Sequence, residues 1–225
     1  MITNYLYCIH PKFRQLLTHL DCNLNELTSL DVKKNMELTY LSYNDTQLAN
    51  VDVSKNILLK YLYCYSNMTS LDVSKNIALI ELCCTHNLLT SLDVSKNTAL
   101  TRLDCNYNEL TSLDVSNNIG LSRLECSFNQ LTSLDVSKNI SLIQLCCYHN
   151  QLSNLDISKN TKLIGLFCNN NQIKNLDVSN NTSLQKVLCQ SNNLTTGALN
   201  AFFGTPHNNA DTYFKPVYID RKSVV

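Results

Sequence analysis

At 225 residues the chain is long enough for one ordinary domain or one solenoid. Its 18 Lys and Arg balance 18 Asp and Glu, so no global field draws it to nucleic acid or to an anionic membrane. Only four glycines and three prolines are present, which argues against a disordered, loop-rich protein, and no run of roughly 18 apolar residues offers a membrane span.

In chain order, Met1 to Leu17 lacks a basic stretch followed by an unbroken apolar core, so it does not read as an export signal; a cytoplasmic location is the default expectation, with a trimmed secreted or surface-exposed protein as the alternative. Residues 1–16 read as an N-terminal cap in which Leu6-Tyr7-Cys8 resembles a degenerate Leu-x-Cys strand; Cys8 has no assigned role. From Leu17 the chain repeats. Cys84, Cys105, Cys126, Cys147, Cys168 and Cys189 are each 21 residues apart, and Cys64, Tyr43 and Cys22 continue the column backward with a single one-residue deletion in the turn from Asn67 to Leu71. Two residues before each lies Leu (Val187 at the last), and five before lies Leu again. Three after lies Asn25, Asn67, Asn87, Asn108, Asn129, Asn150, Asn171 or Asn192, with Thr46 the exception. The coil reads L-x-x-L-x-C-x-x-N-x-L-x-x-L-D-V-S-K-N-x-x.

That coil resembles the leucine-rich repeat, and its second half, LTSLDVSKN, resembles the bacterial 21-residue class called IRREKO-type, found among internalin-like proteins. The resemblance covers about Leu17 to Leu194. It implies a right-handed β-solenoid with short parallel strands and few helices, carrying a binding surface but naming no ligand.

Leu and Cys two apart point to one face of a strand, which must be the inside. The Leu-Asp-Val run alternates in the same way, so a second extended wall is expected. Two extended walls repeat at similar spacing, which predicts little curvature and a stack about 40–45 Å long. The asparagines, including a second column at Asn97, Asn118, Asn139, Asn160 and Asn181, are expected to bond turn backbone. Residues 195–225 leave the repeat and read as a C-terminal cap with a short helix in TTGALNAFFG and a final strand in FKPVYID.

Cysteines one per coil stand a strand spacing apart with parallel side chains, so they read as free, buried thiols and not as disulfides or metal ligands. Free thiols fit a reducing compartment. Cys83 and Cys146 fall at the x of L-x-C and should face outward, each three before a histidine. The outward column Asp31, Asp52, Asp72, Asp93, Asp114, Asp135, Asp156 and Asp177 needs compensation, which Lys34, Lys55, Lys75, Lys96, Lys138 and Lys159 can give; a calcium-binding ladder is the alternative.

The L-x-C wall changes from coil to coil at Tyr40, Tyr61, Tyr63, Tyr65, His86, Arg102, Asp104, Tyr107, Arg123, Glu125, Phe128, Tyr148, His149 and Phe167. A constant apolar frame with changing Tyr- and Arg-rich decoration is the pattern of a partner-binding surface. No G-x-S-x-G, H-E-x-x-H or phosphate-loop motif occurs, so catalysis, cofactor and metal are not expected. The expected function is a non-catalytic protein-interaction scaffold, with a surface protein or adhesin binding glycan as the alternative.

Overall fold

The computed structural model describes residues 16–44, 48 and 50–195. The expected caps, apart from Leu16 and Thr195, lie outside the described residues, as do the helix, the final strand and Cys8.

Among the described residues, nine strands of three residues each form one sheet: β1 (His19–Asp21), β2 (Tyr40–Ser42), β3 (Tyr61–Tyr63), β4 (Glu81–Cys83), β5 (Arg102–Asp104), β6 (Arg123–Glu125), β7 (Gln144–Cys146), β8 (Gly165–Phe167) and β9 (Lys186–Leu188). They run parallel in the order of the chain, each paired only with its sequence neighbours. The register joins Leu20, Leu41, Leu62, Leu82, Leu103, Leu124, Leu145, Leu166 and Val187 in one inward row. The result is a parallel β-solenoid of 21-residue coils, and the described residues contain no helix. A middle coil buries Leu100, Leu103, Cys105, Leu110, Leu113 and Val115. Each is worth about 1.5–3 kcal/mol of apolar burial, and only against the neighbouring coils.

The second wall corrects the expectation in part. Leu92 and Val94 point inward and Asp93 outward, as alternation requires. Yet no described residue of this wall forms a strand. The backbone groups a ladder would use are already engaged. Asp93 Oδ1 accepts the Ser95 N–H at 2.8 Å, and the Val94 carbonyl accepts the Asn97 N–H at 3.0 Å and Asn118 Nδ2 at 3.0 Å. The same turn explains how the aspartates tolerate one another. Each of the eight accepts the N–H two residues on, and Lys33, not one of the expected lysines, makes the ion pair with Asp52 at 3.1 Å. These bonds hold Asp52 down at about 2 and keep Asp72 and Asp93 below the ordinary carboxylate range.

Two columns of buried amides tie coil to coil. Asn129 Nδ2 donates to the carbonyls of Cys105 at 3.0 Å and Cys126 at 3.2 Å, while its Oδ1 accepts the Leu110 N–H at 3.0 Å. Asn118 Nδ2 donates to Val94 O and Asn97 O, and its N–H returns to Val115 O. Asn67 does not belong to the first column. It is exposed with φ 55°, and Met68 fills the buried place held by leucine elsewhere, its N–H donating to Asn87 Oδ1 at 2.9 Å. The shortened turn lies beside the one phenol in the cysteine column. Tyr43 is fully buried, and its hydroxyl lies 3.5 Å from Met68 Sδ. The two departures from the repeat are thus one packing solution.

Candidate partner-binding surface

The wall's outward residues come from three kinds of position, one of them the residue directly after the inward cysteine, which Tyr65 and Tyr148 occupy. The strands present their first and third residues. Two residues after every inward cysteine but Cys64, where the shortened turn puts the corner three after at Asn67, the chain turns through the left-handed region, at Leu24, His86, Tyr107, Phe128, His149, Asn170 and Ser191, all with φ of 53–55°. The coil imposes this conformation whatever the side chain. Asparagine accepts it readily; leucine, tyrosine and phenylalanine do not, and the mismatch costs about 1–2 kcal/mol per residue.

Four of these corners carry rings that stack along the solenoid. His86 lies 4.1 Å from Tyr107, Tyr107 4.2 Å from Phe128, and Phe128 4.2 Å from His149, with interplanar angles of 10°, 13° and 10°. Tyr65 tilts against His86 at 4.9 Å, and Tyr148 stands edge-on to Phe128 at 5.3 Å. At the far end, Asn170 Nδ2 lies 3.1 Å from His149 Nε2. Each stacked pair contributes about 0.5–1.5 kcal/mol, which offsets the backbone strain without exceeding it.

The strands beside this ridge hold a charged cluster. Arg102 reaches Glu81 at 2.6 Å, Glu125 at 3.7 Å and Asp104 at 4.0 Å, and Arg123 reaches Glu125 at 3.9 Å. Burial, with Glu125 close by, raises the Asp104 carboxyl above its ordinary value. Burial and the neighbouring Glu81 carboxylate push the Tyr63 phenol up to about 12. Further toward the N-terminus, Tyr40 stacks on His19 at 3.9 Å and lies 6.4 Å from Tyr61 and 5.4 Å from Tyr63. In β8 and β9, Lys186 Nζ stands 5.1 Å over the Phe167 ring.

The fourteen residues singled out from the sequence therefore divide. Tyr65, His86, Tyr107, Phe128, Tyr148 and His149 form the ridge and its flanks. Arg102, Asp104, Arg123 and Glu125 form the cluster. Tyr40, Tyr61 and Tyr63 form an aromatic patch, and Phe167 lies apart with Lys186. Asp104, at 8% exposure, is buried beneath the surface. His19 and Glu81 were missed, although the register that aligns them with Tyr40 and Arg102 is readable from the repeat.

The cysteines behave as the repeat demands. All ten among the described residues are free, and all eight of the inward column are buried. Burial pushes their thiols upward, to about 11 at Cys22. A sealed thiol stays reduced by inaccessibility, so the column does not by itself fix the compartment. Cys146 takes the outward strand position expected of it, beside Gln144, but it is not displayed: it is 7% exposed, covered within the wall, and Gln144 Nε2 lies 3.3 Å from its sulfur. Cys83 is half-buried. Among the described residues no group of three or more His, Cys, Asp or Glu is arranged to hold a metal ion.

A nine-strand parallel sheet, a 21-residue coil and two amide columns define the class: the chain is a leucine-rich-repeat solenoid. No family model matches it, and no curated protein matches it. Solved structures do. The functional domain of InlJ from Listeria monocytogenes, described as including a cysteine ladder, is 42% identical with a TM-score of 0.78, over 81% of this chain and 41% of that one. This chain thus spans about two fifths of that structure's length. The leucine-rich-repeat protein LIC12759 from Leptospira interrogans is 22% identical with a TM-score of 0.67, over 80% and 56% of the two chains. Internalin C2 from Listeria monocytogenes is 17% identical with a TM-score of 0.73, over 78% and 82%. The last two share the fold alone.

Proposed function

We propose that the chain is a non-catalytic recognition scaffold that binds a protein partner through the L-x-C wall. The observation that supports this best is the contrast within each coil. Inward leucine, cysteine and asparagine repeat almost unchanged, while the outward face gathers a ring ridge, a five-residue charged cluster and a tyrosine patch on one continuous side of the sheet. Tyrosine and arginine are the side chains that most often dominate interface energetics. The likeness to bacterial repeat proteins points the same way by analogy. Among the described residues no helix is long and apolar enough to cross a membrane.

The test is a pull-down from a lysate or a host-cell extract, comparing the parent chain with the triple variant Tyr63→Ala, Tyr107→Ala, Phe128→Ala. Circular dichroism establishes that the variant still folds. Loss of the retained protein with the fold preserved is expected. Equal retention by both would place the interface elsewhere.

A further inference from the structure

We propose that His86, Tyr107, Phe128 and His149 are the recognition element of this surface, and that they take a protein segment bearing apolar side chains in preference to a carbohydrate. This rests on the wall being the partner-binding face and goes further in naming the contact.

A sugar is held by an aromatic ring through the ring's open face. Here the faces are not open. Centroids 4.1–4.2 Å apart with nearly parallel planes are in van der Waals contact, so nothing enters between them. At one end Tyr65 leans on His86. At the other, the Asn170 amide meets His149 Nε2. The ridge offers its edges, with Tyr107 40% exposed. Ring edges carry the positive side of the aromatic quadrupole, and they suit a partner's aromatic face, aliphatic side chains or backbone carbonyls. A folded loop or strand supplies these in a row; a saccharide, whose apolar surface is a flat ring face, does not match them.

The ridge is also not needed by the fold. Its bulky members sit in a backbone conformation they disfavour, where the coil at Asn170 and the shortened turn at Asn67 use asparagine. Strain accepted without a net gain in stability is the mark of a position kept for another purpose. Tyr107→Asn and Phe128→Asn, singly and together, therefore separate the two roles, because asparagine satisfies the backbone while removing the ring.

Two probes are used on the full chain: peptides selected on the parent protein from a random displayed library, and a panel of soluble oligosaccharides comprising chitotriose, lactose and sialyllactose. The expected result has three parts. The melting temperature of the double variant stays within about 2 °C of the parent. The selected peptides bind it at least tenfold more weakly. None of the saccharides shows binding that depends on the ridge. A fall of more than about 6 °C would mean that the ring stack is structural and would overturn the proposal. Saccharide binding abolished by Tyr107→Asn would overturn the partner class. Peptides unaffected by the double variant but lost on Arg102→Ala would move recognition to the strands, leaving the wall intact as the interface. Peptides indifferent to all these changes would defeat both the ridge and the wall.

Discussion

Each coil turns two corners, and in most coils both are secured by an asparagine amide that reaches into the preceding coil, the shortened turn at Asn67 being an exception. At the Asp-Val-Ser-x-Asn corner the amide is fully buried, the aspartate fastens the turn through the N–H two residues on, and the sequence barely varies. At the Cys-x-x-Asn corner the amide does equivalent work, but the residue before it is thrown into the left-handed region and out to solvent. There the occupant ranges over leucine, histidine, tyrosine, phenylalanine, asparagine and serine with φ held between 53° and 55°. The backbone is set by the frame in both corners. Only in the second does the frame leave the side chain undetermined, and that is where chemistry accumulates.

The largest expected effect is at the place where the frame itself departs from its rule. Tyr43→Cys restores the repeat consensus, a change that ordinarily stabilises repeat proteins. Here the neighbouring turn is one residue short and Met68 packs toward the phenol. Removing the ring opens a void and should lower the stability by about 3 kcal/mol, read from the midpoint of urea denaturation. An unchanged or raised midpoint would show that the phenol and the short turn are not one solution.

Next is the constant corner. Asn118→Ala removes one of the two donors to each of the Val94 and Asn97 carbonyls inside the stack and should lower stability by about 1–3 kcal/mol. The same denaturation on Tyr107→Asn at the variable corner should show almost no change. If the two variants melt alike, the division between a structural and a displayed corner fails.

The smallest effect at neutral pH comes from the thiol column and becomes visible only in alkali. Burial raises the thiols of Cys64, Cys84, Cys105, Cys126, Cys147 and Cys168 above the ordinary value of 9.0. A group whose pKa is higher folded than unfolded contributes stability that is fully present below the unfolded value and is lost as pH rises above it. The melting temperature should therefore be flat from pH 7 to about 8.5 and fall steeply beyond about 9, because unfolded thiols ionise and buried ones cannot. Replacing Cys105, Cys126 and Cys147 by alanine together should flatten that alkaline limb, while the corner variants leave it unchanged.

Much of this was legible in the chain itself. A period of 21 and the fixed distance from leucine to cysteine to asparagine determined the coil, its inward side, the nine strand positions and the reduced state of the inward cysteines, because each follows from alternation and from the need to bury the same groups in every coil. Most residues on the outward side were readable as well, since they are what remains when the repeating positions are removed, although Asp104 lies buried and His19 and Glu81 escaped that reading. Tertiary structure decided what periodicity cannot express. It showed that the Leu-Asp-Val run alternates yet makes no sheet, since its backbone groups are already bonded within the turns. It also moved Asn67 out of the amide column, covered Cys146, and brought rings 21 residues apart into one stack at left-handed corners that the identities of Tyr107 and Phe128 would never suggest.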